Sequence, residues 1–210
     1  MSTEHEAALT TLVDGLPVAE INPGKTYNMG AAAYYYADTL GWPIFPVHHP
    51  VPDLAAPGGL ACSCGKDCAS PAKHPMTSGG LLNATCDLDI VKAWWERWPN
   101  ANIGARTGAS PAGIGLDAID IDGDDGWQTW REWITATPDA VPPMVCEAFT
   151  PGNRKRRPGR HRLIAACGTT NTTHALPSID LRGDGGYILV APSQGITGPR
   201  YSWMTAPVAP

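Results

Sequence analysis

Acidic residues alternate with isoleucines in Ala118-Ile119-Asp120-Ile121-Asp122-Gly123. Side chains two apart on a strand share a face, so this spacing predicts a strand that buries Ile119 and Ile121 and projects Asp120 and Asp122 together. Neighbouring carboxylates repel and raise one another's pKa unless a cation lies between them, and such hard oxygen donors suit Mg²⁺ or Mn²⁺. The alternative is a solvated acidic turn capping the next helix. That accounts for Asp124 and Asp125, but not for the alternation at the end of an apolar strand. Asp180 stands two residues before Arg182 in Ser178-Ile-Asp-Leu-Arg182-Gly. A carboxylate and a guanidinium on one strand face suit a metal-nucleotide phosphate site, or equally a salt bridge beside a turn. Between these segments runs Arg154-Lys155-Arg156-Arg157-Pro-Gly-Arg160-His161-Arg162. Basic loops of this kind hold phosphates or are simply solvated. His161, at the start of a strand with Leu163 and Ala165 alternating after it, is placed to contact a triphosphate.

Cys62-Ser-Cys64-Gly-Lys-Asp-Cys68 followed by His74 puts three thiols and an imidazole within thirteen residues of a stretch rich in glycine and proline. Zn²⁺ in a Cys₃His site would staple such a loop, which has no apolar core of its own. His48, His49 and Cys86 are reserve ligands, and unpaired thiols are the alternative. Cys86, Cys146 and Cys167 lie in unrelated surroundings, which argues against a disulfide framework. Ala19-Glu-Ile-Asn-Pro-Gly24-Lys25-Thr26 has the outline of a P-loop. Leu16-Pro-Val-Ala-Glu is too short for the buried strand that this motif requires, so a P-loop NTPase stands only as an alternative.

The elements that must carry these residues follow from pattern and punctuation. The 210 residues have a net charge of −5, are 43% hydrophobic and 17% charged, and include 23 Gly and 21 Pro. That excludes a disordered or collagen-like chain and points to one core with long loops. No apolar run approaches a membrane span and the first residues lack a signal-peptide pattern, so a soluble cytoplasmic protein is expected. Six of the fifteen Lys and Arg fall between Arg154 and Arg162, so the acidic total conceals a basic patch. Residues 1–27 read as a short helix and linker. A helix is expected over Met29–Leu40, between Asn28 and Gly41, and an edge strand over Trp42–His48. Residues 49–82 form the cysteine-bearing excursion. Asp87 opens a helix with Ile90, Val91, Trp94, Trp95 and Trp98 on its apolar face. Ile114–Asp122 is a strand, and Asp124 or Asp125 opens a second Trp-bearing helix that Pro138 ends. His161–Ala166 is a further strand, and Ser178–Arg182 with Tyr187–Val190 reads as a β-hairpin. Without regular βα alternation, these elements favour an α+β or mixed-sheet domain with the excursion as a satellite.

In this order the motifs resemble the N-terminal primase/polymerase (prim-pol) domains of the archaeo-eukaryotic primase superfamily, found in phage, plasmid and actinobacterial replication proteins. The resemblance is carried by Tyr36-Ala-Asp-Thr-Leu-Gly-Trp-Pro-Ile-Phe-Pro46, the cysteine cluster ending Lys73-His-Pro75, and Ala84-Thr85 before the Trp94-Trp95 helix. Pro99-Asn-Ala-Asn-Ile-Gly104, the Asp120/Asp122 pair, Gly159-Arg160-His161 and Ile179-Asp-Leu-Arg-Gly-Asp-Gly-Gly-Tyr-Ile-Leu-Val-Ala-Pro-Ser193 complete it. It implies an RRM-like catalytic sheet with a second α/β half over residues 28–204, and a linker beginning at 205–210. Asp120, Asp122 and Asp180 would then hold two Mg²⁺ or Mn²⁺ ions, while His161 and Arg160 would contact the nucleotide. Arg182 joins them from strand geometry. Arg154, Lys155, Arg156 and Arg157 are the candidate contacts to single-stranded template DNA. The expected activity is template-directed nucleotidyl transfer from NTPs or dNTPs in a bacterial host's cytoplasm, with a helicase region or a separate replicative helicase as partner. Two other readings stay open: a zinc-stapled DNA-binding module without catalysis, and metal-dependent glycosyl transfer by the Asp-Ile-Asp pair.

Overall fold

The computed structural model describes residues 27–110 and 113–208, as three helices and twelve strands. Helix α1 spans Met29–Asp38; the Asn28 side chain accepts from the Ala31 N–H at 2.9 Å, and Gly41, at φ 64°, lets the chain turn away beyond the Thr39 cap. Helix α2 spans Leu88–Arg97, with the Asp87 carboxylate accepting from the N–H groups of Asp89 and Ile90. It buries Val91 and Trp95, but Ile90 is 44% exposed and does not belong to the apolar face expected for it. Helix α3 spans Gly123–Ala136, with Asp122 at its N-cap position; Asp124 and Asp125 stand in the first turn and do not open the helix.

The strands are β1 (Ile44–Val47), β2 (Pro50–Pro52), β3 (Leu60–Cys62), β4 (Asn102–Arg106), β5 (Gly108–Ser110) and β6 (Gly113–Ile121). They continue with β7 (Met144–Thr150), β8 (Gly159–Ala165), β9 (Thr172–Leu176), β10 (Ile179–Arg182), β11 (Tyr187–Leu189) and β12 (Ser202–Thr205). The largest sheet runs β12-β7-β8-β6-β10-β9, with β5 folded back on β6, and every pairing in it is antiparallel. A second sheet runs β1-β4-β11, and β2 pairs β3 within the excursion. The result is a mixed α/β architecture with a large antiparallel sheet.

The expected hairpin over 178–190 does not form. Strand β10 pairs β6 and β9 in the large sheet, whereas β11 pairs β4 in the small one. The glycines between them carry the chain from one sheet to the other. Strands β2 to β5, β7, β9 and β12 have no counterpart in the sequence reading. The P-loop-like segment, Ala19 to Thr26, and the helix expected before Tyr27 lie outside the described residues.

The two faces of the large sheet are covered differently. On one, Ile119, Ile121 and Ile179 pack against Trp130 of α3. On the other, Leu116, Ala118, Cys146, Ala148, Leu163 and Trp203 join the core made with α1, α2 and the small sheet. At its centre the buried Tyr36 ring stacks on Trp42 at 5.4 Å; its hydroxyl donates to the Ala191 carbonyl at 2.6 Å and accepts from Trp203 Nε1 at 2.9 Å. The site lies where this second face reaches solvent.

Candidate active site

Register builds the site. Asp180 on β10 is opposite Asp120 on β6, and Asp120 is opposite His161 on β8. Directly opposed residues of antiparallel strands present their side chains to the same face, so one row across three strands carries two carboxylates and an imidazole. Asp180 and His161 are buried, at 7% and 5% exposure. His161 Nε2 is 3.4 Å from Asp120 Oδ1, and the ring lies beside that of Tyr201 with centroids 5.8 Å apart. Its other nitrogen, Nδ1, is buried and has no hydrogen-bond partner among the described residues. Gly159 starts β8 where a β-carbon would strike the Ile121 carbonyl oxygen, so a larger residue there would push His161 off its register.

Two residues along β10 from Asp180, on the same face, Arg182 bridges the carboxylates: Nη2 is 2.6 Å from Asp180 Oδ2 and 3.3 Å from Asp120 Oδ2. The second oxygen of Asp180 accepts from the His174 N–H at 2.7 Å. Burial alone would push the Asp120 carboxyl up. The surrounding charges of His161, Arg182 and Lys73 outweigh it and hold that carboxyl well below the usual carboxylate range. Asp122, at the strand end, is pushed up by burial and by the charge of Asp120, against the pull of Arg156. Arg156 is ion-paired to Asp122.

Asp120, His161 and Arg182, with Lys73, Tyr187 and Tyr201, line a cavity of about 280 Å³. Asp122 and Asp180 face a larger one, about 570 Å³, bordered by Lys155, Arg156, Arg157 and His174. The predicted set Asp120, Asp122, Asp180, His161 and Arg182 is therefore brought together along one wall. The carboxylate oxygens do not close into a compact ligand group, because each carboxylate is engaged by an arginine. As chemistry the set fits divalent cations: three hard oxygen donors, one of them pushed up by burial and by its neighbour's charge, with guanidinium groups now supplying the balancing positive charge.

The structure does not bring Arg160 to this wall. Because β-strand side chains alternate, Arg160 and Arg162 both point opposite to His161, toward α3. There they clamp the two oxygens of Glu147 at 3.1 Å each and lie over the rings of Trp127 and Trp130. Their placement suits fastening the helix to the sheet. The basic loop is also partly engaged. Arg154 donates to the carbonyls of Pro57 and Leu60, and Arg157 pairs with Asp124 at 2.9 Å in the open. Lys155 is exposed.

Cys62, Cys64, Cys68 and His74 come together as predicted, with one ligand atom from each lying within 4.8 Å of all the others. Cys62 Sγ is 3.4 Å from His74 Nε2 and accepts from the Ala72 N–H at 3.2 Å. Burial and the adjacent Cys64 and Cys62 thiols push the Cys68 thiol up to about 12. Crowded thiols that resist ionising together are what a bound cation relieves, so the group could hold a metal. Of the reserve ligands, His48 packs against the His74 ring with centroids 4.3 Å apart, while His49 and Cys86 are not in the group.

Sequence reasoning missed Lys73 as a site residue. It lines the smaller cavity beside Asp120, and burial pulls its ammonium down against the opposing pull of Asp120 and Asp122. Its place directly before a predicted ligand, His74, was the available signal. Among the described residues no helix is long and apolar enough to cross a membrane. A family model described as bifunctional DNA primase/polymerase, N-terminal (Prim-Pol), matches residues 33–210. No curated protein and no solved structure matches the chain.

Proposed function

Since the chain belongs to the bifunctional DNA primase/polymerase N-terminal family, whose activity implies DNA and nucleoside triphosphates as substrates, we propose that it makes and extends primers on single-stranded DNA, with Asp120, Asp122 and Asp180 as the catalytic carboxylates. The observation that carries this reading is the register-aligned row Asp180–Asp120–His161, with Asp122 one alternation further along β6. Three carboxylates on one wall suit two Mg²⁺ or Mn²⁺ ions, which when bound would lower the pKa of a primer 3′-hydroxyl and neutralise charge on the triphosphate.

The chain's own groups do the positioning. His161, buried and fixed by Asp120, offers its imidazole to the triphosphate. Arg182 is shared between Asp120 and Asp180 and is free to turn to phosphate oxygens once those carboxylates have another cation. The wall is half-buried, so its charges act on the reacting phosphate with less screening than in water. Lys155 and Arg157, at the rim of the larger cavity, are the proposed template contacts, with Arg154 and Arg156 holding their loop in place. Zn²⁺ is the proposed occupant of the Cys₃His group, since three thiolates and an imidazole are its usual tetrahedral set. A phage- or plasmid-type replication setting is proposed from the sequence resemblance.

Synthesis on single-stranded DNA with labelled NTPs and dNTPs, with and without Mg²⁺ or Mn²⁺, tests the reading. Metal-dependent products from the wild type, lost in Asp120→Ala/Asp122→Ala with its fold retained, are expected. Template binding without synthesis, even from an annealed primer, would leave a zinc-stapled binding module.

A further inference from the structure

The excursion over residues 49–82 does more than hang beside the sheet, because it delivers Lys73 into the cavity that holds Asp120, His161 and Arg182. The backbone around Lys73 is fixed on every side. The preceding Ala72 sits at φ 59°, uncommon for a residue with a β-carbon. Its N–H donates to Cys62 Sγ and its carbonyl accepts from Asn102 Nδ2 at 3.1 Å. The Lys73 carbonyl accepts from the Tyr187 hydroxyl at 2.7 Å. The following His74 meets Cys62 again through Nε2, and its carbonyl accepts from the His48 N–H at 2.9 Å. Two of the four ligand residues thus grip the chain immediately before and after Lys73.

The side chain, by contrast, is uncommitted. No hydrogen bond or ion pair within 4.0 Å holds its ammonium among the described residues, although Asp120 and Asp122 attract it. A half-buried cation without a close partner, on a rigid mount and aimed into a cavity that also holds an arginine and a histidine, is arranged for an anion that arrives from outside. We propose that Lys73 binds a phosphate oxygen of the incoming nucleoside triphosphate, and that the metal-held loop from Cys62 to His74 is the mount that places it. The inference rests on the reading of this cavity as the nucleotide site. It makes the Cys₃His group a positioning device for substrate binding, not merely a staple.

The full chain is titrated calorimetrically with an α,β-imido dNTP in Mg²⁺, with inorganic tripolyphosphate, and with a single-stranded oligonucleotide. Lys73→Ala should weaken the nucleotide and tripolyphosphate about tenfold, the range of one charge-assisted hydrogen bond. Oligonucleotide affinity should be unchanged, Lys73→Ala should remain folded at the titration temperature, and Lys73→Arg should recover most of the loss. Chelator-stripped wild type should lose nucleotide affinity by a similar factor. Stripping Lys73→Ala should then add little, because both changes remove the same contact. Unchanged nucleotide affinity in folded Lys73→Ala overturns the proposal whatever stripping does to the fold, and additive losses overturn the mounting role. A wild type that binds no nucleotide removes the nucleotide site itself, and the proposal with it.

Discussion

Asp120 and Asp122 stand at successive outward positions of one strand end, yet their surroundings push their carboxyls in opposite directions. Asp120 lies among His161, Arg182 and Lys73 and is held low; Asp122, partly buried and facing Asp120 and Asp180 with Arg156 as its cation, is pushed up. A depressed folded pKa contributes stability that is present above the unfolded value, about 3.9, and is lost as pH falls through the folded one. A raised folded pKa does the reverse, contributing below the unfolded value and losing that contribution as pH rises through the folded one. Without divalent metal at pH 7, Asp120→Asn should therefore lower the urea midpoint and Asp122→Asn should raise it. Both differences should narrow as pH is taken down toward 3. Mn²⁺ should stabilise the wild type more than either variant. Midpoints that move in the same direction for both would contradict this account of the pair.

The alternation that placed Asp120 and Asp122 on one face is a local property, and so were the Asn28 and Asp87 caps; these were legible because each depends on neighbours within a few residues. The same alternation also shows that Arg160 and Arg162, flanking His161, must leave its face. The sheet change after Arg182 was not legible, because β11 takes its partner, β4, from about eighty residues earlier, and nothing in Gly183–Gly186 names that strand. Lys73 and the Arg156–Asp122 pair were hidden for the same reason, since each is a meeting of segments far apart in sequence.

The four clustered ligands should hold about one equivalent of Zn²⁺ in purified protein. Cys64 and Cys68 are more accessible than Cys62, which is buried and also accepts from Ala72. Cys64→Ser/Cys68→Ser should thus lose the metal with the least packing damage. Limited proteolysis should then cut within residues 49–82 while the large sheet stays protected, because the excursion has little apolar core to hold it. A variant that keeps a full equivalent of zinc, or a wild type that has none, would refute the assignment.

As the proposed template contact, the basic loop would divide its side chains between anchoring and binding. Arg154 and Arg156 are tied to carbonyls and to Asp122, so removing either should disturb the loop and, through Asp122, synthesis. Lys155 and Arg157 lie at the exposed rim. Lys155→Ala/Arg157→Ala should weaken single-stranded DNA while leaving nucleotide affinity intact. The slope of log K against log salt should fall by about 0.7 for each phosphate contact removed. An unchanged slope would move the template path elsewhere.

Tyr36 shows how the core supports this wall from behind. Its hydroxyl both donates to the Ala191 carbonyl and accepts from Trp203 Nε1, and all three residues are buried. Tyr36→Phe keeps the ring stacked on Trp42 but leaves a carbonyl and an indole N–H without partners in a dry interior, a loss of roughly 1–3 kcal/mol for each group left unsatisfied. The double variant Tyr36→Phe/Trp203→Phe removes the orphaned indole as well. It should therefore cost less than the sum of the two single changes, provided the smaller ring's packing loss is measured in Trp203→Phe alone. Trp203 is on β12, next to β7, and β7 carries Ala148 opposite His161. Loosening this contact should accordingly raise the KM for nucleotide before it lowers the unfolding midpoint enough to unfold the protein at assay temperature. Strict additivity in urea unfolding would show that the hydroxyl and the indole act independently and that the bond between them contributes nothing.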